Sequence, residues 1–254
     1  PIYLSQSPQI YKQMFVFGGF ERVYEIGPVF RAEKSHTTRH LTEFTGVDFE
    51  MAFIKDENEL MDFVEEMLID LLTKLKEESS SELELLEVDH KIPEDIPRIT
   101  MAEAKALLAE KGKKYSDEDD LDPEGEKLLG EIVKEKYGSE FVFLTNFPFA
   151  VRPFYCMKSE ADSNGTKSFD LLFNGVEIAT GTQREHQLDV LEKQAKGKGL
   201  DLDKMPEYKD LFKYGCPPHG GVGFGLDRIT QRLLKLDNIR EAVLLPRDPE
   251  RMDP

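Results

Sequence analysis

The dipeptide Asn174-Gly175 limits the possible folds of this chain more than any other feature of its sequence. It separates two largely apolar runs, and Asn-Gly between such runs is the strongest short-range signal for a β-hairpin with a two-residue turn. Residues 23–30 and 40–54 have the pattern of a second strand pair. Hairpins therefore outnumber strand–helix–strand units, and we predict an α+β fold in which an antiparallel β-sheet is flanked by helices.

Helical patterns occupy much of the remaining sequence. Asp56 and Glu59 form a capping-box-like pair at the start of one predicted helix. The predicted buried stripe of that helix is Leu60, Val64, Met67, Leu71 and Leu75. Residues 78–140 are predicted to form a helical, acidic surface segment, in which Asp122-Pro123 begins a helix.

The composition restricts the class of protein. We expect one domain over residues 1–254, with a net charge of −17. This is the wrong sign for a protein that coats nucleic acid, so any RNA has to bind at a local basic patch. No apolar run approaches the ~20 residues that cross a bilayer, and no signal peptide opens the chain, so we expect a cytoplasmic protein without a membrane partner. Cys156 and Cys216 lack metal-ligand spacing and are expected to be reduced.

A polar loop at residues 34–39 leads into a strand with one polar face. Alternate side chains of a strand point to the same side. The polar face of this strand carries His40, Thr42, Phe44, Asp48 and Glu50. An ordinary solvent-facing strand is the alternative, but the exposed ring of Phe44 needs a flat partner such as a base, which favours a binding site.

The Asn-Gly hairpin has a geometric consequence for two carboxylates. With a two-residue turn, Leu172 pairs with Glu177, and Asp170 is a diagonal neighbour of Glu177 on the same face, roughly 7–8 Å away. One Mg²⁺ ion between these carboxylates is the functional interpretation, and two solvated carboxylates are the alternative. Thr180 is out of phase with Glu177 and reaches the ion only if a bulge at Gly181 ends the strand.

Two further segments provide cations. Residues 221–228 combine glycines, a predicted helix N-terminus and Arg228, which together suit an anionic phosphate. Arg184 lies in the segment GTQREH at residues 181–186. By itself, such an arginine is more often a surface residue than a ligand clamp.

Three segments occur in an informative order. They are YLSQSPQIYKQM at residues 3–14, FRAE with RHLTEF at residues 30–33 and 39–44, and GFGLDR at residues 223–228. The first resembles the amino-acid-binding segment of the archaeal and eukaryotic type of aspartyl-tRNA synthetase, and the other two are similar to motifs 2 and 3 of that family. The resemblance implies a class II synthetase catalytic domain.

The resemblance also implies an aspartate–tRNA ligase that condenses L-aspartate with ATP to aspartyl-adenylate and then charges tRNA(Asp). Arg31 would hold the α-phosphate, and Arg228 the γ-phosphate with His40 beside it, so both arginines would be catalytic. Phe44 and Arg228 would enclose the adenine, with Glu33 near its edge. The ATP site would be completed by Arg39, Leu41, Glu177 and Gly225.

The other implied roles concern Mg²⁺ and L-aspartate. Asp170, Glu177 and Thr180 would hold Mg²⁺, although the family usually has serine where Thr180 stands. Lys12 and Arg184 would grip the side-chain carboxylate as a doubly cationic site, which disfavours asparagine because an amide would leave Lys12 unpaired. The rest of the aspartate site would be Ser7, Gln9, Asp48 and Thr180.

Some parts of the family are expected to lie upstream of Pro1, namely motif 1 with its dimer interface and the anticodon-binding OB-fold. The full-length enzyme would be a homodimer, whereas this chain alone would be a monomer or weak dimer with impaired catalysis. The choice between tRNA(Asp) alone and tRNA(Asn) in addition would lie largely in the anticodon domain.

Two rival functions remain open on the sequence. One is a synthetase-like paralogue that makes asparagine from aspartyl-adenylate and ammonia with a nearly identical active site. The other is a non-enzymatic interaction protein that retains the fold. A binding module has no need of the charged set Arg31, Asp170, Glu177, Arg184 and Arg228.

Overall fold

A computed structural model describes residues 3–33, 37–162 and 164–253, in which seven strands form one sheet. The strands are β1 Arg22–Phe30, β2 Glu43–Ala52, β3 Arg98–Thr100, β4 Phe141–Thr145, β5 Ser168–Phe173, β6 Val176–Gln183 and β7 His219–Gly225. The α-helices are α1 Gln9–Phe17, α2 Asn58–Glu78, α3 Ser80–Leu85, α4 Met101–Glu110, α5 Pro123–Tyr137, α6 Leu188–Gly197, α7 Pro206–Leu211 and α8 Leu226–Leu233.

The strand order is β1-β2-β7-β6-β5-β4-β3, and every neighbouring pair is antiparallel except β3 and β4, which are parallel. The predicted antiparallel sheet flanked by helices is therefore confirmed. The predicted strand at residues 40–54 is shorter than expected, because β2 begins at Glu43 and His40 precedes it. Of the predicted polar loop at residues 34–39, residues 34–36 lie outside the described part of the chain.

The Asn-Gly turn forms as predicted. Asn174 and Gly175 have φ values of 46° and 72°, and positive φ at both positions is the type I′ geometry. Leu172 pairs with Glu177, which is the predicted register. The turn also packs tightly on α5, because a Cβ atom on Gly175 would lie 2.6 Å from the carbonyl oxygen of Glu126.

A β-bulge brings Thr180 into phase with the two carboxylates. The register between β5 and β6 shifts at Ile178, which is the extra residue of β6. Asp170 then pairs directly with Thr180, on the same face as Glu177. The bulge considered at Gly181 does not form, because that residue pairs with both neighbouring strands and β6 continues past it.

The buried face of α2 differs from the predicted stripe. Leu60 and Val64 are buried as predicted, but Leu71 is 42% exposed, and the helix instead buries Leu68 and Leu72. Apolar residues occur in adjacent pairs along this helix, so periodicity alone does not show which member of a pair faces the sheet. The contacts between α2 and the sheet determine which member is buried.

Helices pack on both faces of the sheet. On one face, α2 packs on a core that includes Phe49, Phe143, Phe169 and Val222. On the other face, α4 and α5 pack against the β4–β5 end of the sheet. The segment predicted as an acidic surface therefore also contributes a second core, and the β2-β7-β6 part of this face stays open. In the described part of the chain, the helices are too short or too polar to cross a bilayer.

Candidate active site

A cavity of about 490 Å³ opens on the polar face of β2, β7 and β6. Its walls come from the segment before α1, the β1–β2 hairpin, β6 and the first turn of α8. The predicted site residues that line it are Ser7, Gln9, Lys12, Arg31, Glu33, Arg39, His40, Leu41, Phe44, Asp48, Glu177, Thr180, Arg184, Gly225 and Arg228. The structure thus brings residues separated by more than 200 positions into one site.

One end of the cavity holds a cluster of four charged side chains. Arg184 donates from Nε and Nη2 to the carboxylate of Glu50, over 2.8 and 3.1 Å. Lys12 Nζ lies 3.0 Å from Asp48 Oδ1 and 3.4 Å from Glu50 Oε2. Burial opposes the ionisation of Glu50, but Arg184 and Lys12 hold its pKa below the ordinary value. Each of the two cations therefore has a carboxylate partner before any ligand enters.

This pairing corrects the expected doubly cationic pocket. Lys12 and Arg184 contribute two positive charges, and Asp48 and Glu50 contribute two negative charges, so the cluster sums to zero. Glu50 was not among the predicted site residues, although it shares a strand face with Asp48. The alternation along β2 was the signal that could have identified it.

The glycines of β7 make room for these carboxylates. Gly221 pairs with Glu50 and Gly223 with Asp48 across the β2–β7 register. A Cβ atom on Gly221 would lie 1.9 Å from Glu50 Oε2. The glycine run is therefore a central strand over which the carboxylates lie, and it also leads to Arg228 at the start of α8.

A buried hydrogen-bond chain fixes the helix that carries Lys12. Gln13 Nε2 lies 2.8 Å from Nε2 of His219, and the Tyr208 hydroxyl donates to Gln13 Oε1 over 3.3 Å. Nδ1 of His219 lies 2.9 Å from the carbonyl oxygen of Pro217. Burial lowers the pKa of His219 to about 4, so its imidazole is neutral, with the proton on Nδ1 and Nε2 accepting from Gln13.

The other end of the cavity is cationic and has an aromatic wall. The Arg31 guanidinium lies 5.1 Å from the ring centroid of Phe44. Arg228 donates to the carbonyl oxygens of Glu177 and Arg39, over 2.8 and 3.4 Å, which fixes its guanidinium at the start of α8. Burial and then the neighbouring Arg228 lower the pKa of His40, so that end keeps a neutral imidazole among cations.

The β5–β6 hairpin supplies oxygen ligands for a cation. Burial and the nearby Asp170 raise the pKa of Glu177 to about 7. Within the described residues, Asp170 Oδ1 is buried without a hydrogen-bond partner. Two crowded carboxylates and the Thr180 hydroxyl suit a hard divalent cation. The described residues contain no group of three acidic, histidine or cysteine ligands, so substrate oxygens or water would have to complete the coordination.

Arg152 and Glu126 were also missed by the sequence-based predictions. Arg152 lies 2.8 Å from Asp170 and donates to the Thr180 hydroxyl over 3.2 Å. Glu126 of α5 lies 2.5 Å from Arg39. No local spacing marks either residue, because each reaches the site only through the packing of distant segments.

Comparison with known proteins identifies the family. The profile of the family described as tRNA synthetases class II (D, K and N) matches residues 1–249. An aspartate–tRNA(Asp/Asn) ligase of Aeropyrum pernix is 49% identical over 99% of this chain and 58% of its own length. A human cytoplasmic aspartate–tRNA ligase is 44% identical over 99% of this chain and 51% of its own length.

A solved structure has the same fold. The aspartyl-tRNA synthetase of Entamoeba histolytica superposes with a TM-score of 0.96 at 41% identity, over 99% of this chain and 53% of that chain. This chain therefore spans between about half and three-fifths of the length of these relatives. With its fold, its cavity and the match over residues 1–249, the chain belongs to the class II tRNA synthetases (D, K and N).

Proposed function

We propose that this chain is the catalytic part of an aspartate–tRNA ligase. It activates L-aspartate with ATP to aspartyl-adenylate and pyrophosphate, then transfers the aspartyl group to the 3′ end of tRNA(Asp) with release of AMP. The supporting observation is one cavity that has Lys12 and Arg184, each paired with a carboxylate, at one end and Arg31 and Arg228 at the other. Because the chain covers only part of its relatives, the activity is proposed for the whole protein.

The first step joins two anions. An oxygen of the aspartate α-carboxylate attacks the α-phosphorus in line, the bond to the bridging oxygen breaks, and pyrophosphate leaves with the electron pair. Cations placed at the α-phosphorus and the leaving group contribute most to such a reaction. Arg31 serves the α-phosphate, and Arg228 with His40 serves the γ-phosphate. No general base is needed, because the nucleophile is already ionised.

The rest of the cavity positions the two substrates. Adenine lies between Phe44 and Arg228, with Glu33 at its edge and Arg39, Leu41 and Gly225 around the nucleotide. The aspartate side chain meets Lys12 and Arg184. The aspartate site is completed by Ser7, Gln9, Asp48 and Thr180.

Mg²⁺ binds at Asp170, Glu177 and Thr180 in this proposal. The unpartnered Oδ1 of Asp170 and the raised pKa of Glu177 support it, because both show a shortage of positive charge at the hairpin. When bound, the ion would neutralise phosphate charge and orient the triphosphate.

In this proposal the full-length protein is a cytoplasmic homodimer. The proposal leaves open whether it charges tRNA(Asn) in addition to tRNA(Asp). β1 is a terminal strand of the sheet, and the apolar side chains around it are 56–79% exposed. These side chains, here named the β1 patch, are Tyr11, Phe15, Phe20, Tyr24 and Ile26. An unpaired edge beside such a patch supports a second copy as the partner.

Pyrophosphate exchange tests the proposed activity. The purified protein should exchange labelled pyrophosphate into ATP with L-aspartate, but not with L-asparagine or L-lysine, and only with Mg²⁺ present. Asparagine production on addition of ammonia, without tRNA charging, would instead support the paralogue.

Arg31→Ala should lower the exchange rate by about 10²–10³-fold, the cost of removing one preorganised donor to the developing charge. Arg22→Ala, at the exposed start of β1, the strand that ends just before Arg31, is the matched control and should leave the rate unchanged. An Arg31→Ala protein within about threefold of wild type would refute the phosphate assignment.

A further inference from the structure

Arg152 is a buried cation that the proposed activation chemistry does not use. Its guanidinium lies 3.6 Å from the ring centroid of Phe147, and its side chain is only 12% exposed. From this position Nη2 approaches Asp170 Oδ2 at 2.8 Å, and Nη1 donates to the Thr180 hydroxyl over 3.2 Å. The guanidinium therefore occupies two of the three groups assigned to the metal.

The hold of Arg152 on these groups is incomplete. The approach of Nη2 to Asp170 is an ion pair without hydrogen-bond alignment, and in the described part of the chain Nε of Arg152 and Oδ1 of Asp170 also lack hydrogen-bond partners. A buried ion pair stabilises the protein well only when its remaining donors and acceptors are satisfied. This pair is thus suited to exchange for a better partner.

A guanidinium and a divalent cation compete for these oxygens, because both are positive and both need the same oxygen lone pairs. We propose that Arg152 is an internal counter-ion that holds Asp170 and Thr180 in the ligand-free protein and is displaced when a divalent metal binds. This inference rests on the proposed function, which assigns those groups to Mg²⁺.

The exchange makes metal binding depend on ATP. Without nucleotide, a metal must displace the Arg152 guanidinium. The metal and the guanidinium then both lie beside the carboxylates of Asp170 and Glu177. With ATP, the phosphates add negative charge that compensates both cations. Arg152 therefore suppresses metal binding to the empty site and has little effect on the metal that arrives with ATP.

Manganese binding tests the exchange without any turnover. Free Mn²⁺ is titrated by electron paramagnetic resonance against wild type and Arg152→Met, with and without ATP and in the absence of amino acid. Arg152→Met keeps an unbranched stem against Phe147 but removes the charge. It should bind Mn²⁺ at least about tenfold more tightly than wild type without ATP, and within about threefold of wild type with ATP.

Two further variants keep the test decisive. Arg152→Gln remains able to donate to Asp170 and Thr180 without a charge, so it should show the same direction even if Arg152→Met fails to fold. Arg98→Met is the matched control, because Arg98 also lies over a phenylalanine ring, at 5.7 Å from Phe143, but pairs with Asp62 of α2 on the opposite face of the sheet.

The outcomes separate this inference from the proposed function. Unchanged or weaker Mn²⁺ binding by both Arg152 variants would overturn the counter-ion role while leaving the metal site intact. Wild type that binds no Mn²⁺ even with ATP, or an Asp170→Asn protein that binds it as wild type does, would overturn the metal assignment and the inference with it.

Discussion

At the residue scale, the buried carboxylate of Glu50 determines the charge of the amino-acid pocket. It binds the Arg184 fork through both oxygens and also lies near Lys12. The fork is thus oriented in the ligand-free protein, and in the proposed function an aspartate side chain would meet a neutral cluster with directed donors. Discrimination against asparagine then depends on how these donors are aimed, since the cluster has no surplus positive charge.

Glu50→Gln should destabilise the protein and make its stability depend on aspartate. The change leaves the buried Arg184 without a counter-ion, which costs about 3–5 kcal/mol of unfolding free energy. L-Aspartate can supply the missing carboxylate, so it should raise the melting temperature of the variant more than that of wild type, whereas L-asparagine should not.

The control for this variant is Glu140→Gln, which disrupts the ion pair with His90 away from the cavity. Its melting temperature should respond to aspartate as wild type does. Equal aspartate-induced shifts in Glu50→Gln and wild type, measured by thermal denaturation, would show that Glu50 does not set the charge of the pocket.

At the scale of elements, β7 joins the two ends of the active site. It pairs with β2 on one side and β6 on the other, and its last residue caps α8. Its glycines allow the carboxylates of β2 to lie over its backbone, and its first residue, His219, holds α1 through Gln13. One strand therefore helps to position both ends of the cavity, the Lys12 cluster and Arg228.

Gly221→Ala should destabilise the protein by about 1–3 kcal/mol or more, the usual cost of overpacking. The new methyl group would meet the Glu50 carboxylate and the carbonyl oxygen of Phe49 at 2.3 Å, so the KM for aspartate should also rise. Gly197→Ala is the control, because its Cβ atom meets nothing within 4 Å. Urea unfolding and pyrophosphate exchange measure both effects, and equal stabilities of the two variants would contradict the close approach.

The His219 link between β7 and α1 should make stability fall as the pH is lowered. Burial lowers the pKa of His219 to about 4, so between this value and 6.5 the unfolded chain binds more protons than the folded chain. The linkage removes about 1 kcal/mol of stability between pH 7.5 and pH 5.5.

In the variant His219→Gln, the new side-chain amide can still accept a hydrogen bond from Gln13 but does not titrate. Its unfolding free energy, measured in urea at the two pH values, should fall by about 1 kcal/mol less than that of wild type. Identical pH dependence in both proteins would show that the imidazole is not held neutral.

At the scale of the whole molecule, the chain combines strong acidity with an uncovered sheet edge. Its net charge of −17 opposes association of two copies, whereas the β1 patch favours it. A weak dimer or a monomer therefore stays the prediction for this chain by itself. Added salt should strengthen the dimer, because it screens the repulsion and leaves apolar burial intact.

Tyr24→Glu should weaken dimerisation by at least about tenfold, since it places a charge in the centre of the β1 patch. Leu85→Glu is the control, because Leu85 is 82% exposed on α3 and lies outside the patch. Sedimentation velocity over a range of concentrations gives the dissociation constants. A tight dimer that Tyr24→Glu does not affect would place the interface elsewhere.

Local chemistry by itself determined much of the fold. The Asn174-Gly175 turn requires positive φ at both positions, and the capping box of Thr100 with Glu103 and the Asp122 cap mark the starts of α4 and α5. These features depend on neighbours within a few residues, so the sequence contains all the information they need. The same holds for the polar face of β2, because strand alternation is a local property.

Only the tertiary structure decided which charges meet. Glu50 and Arg184 are 134 positions apart, and Arg152 reaches Asp170 only because the segment before β5 folds back over β6. The bulge at Ile178 and the central position of β7 likewise depend on how the strands pair, which no local sequence pattern specifies. The physical reason is that periodicity fixes the face on which a side chain lies, whereas its partner is set by packing between distant segments. The neutral charge of the amino-acid pocket depends on that packing.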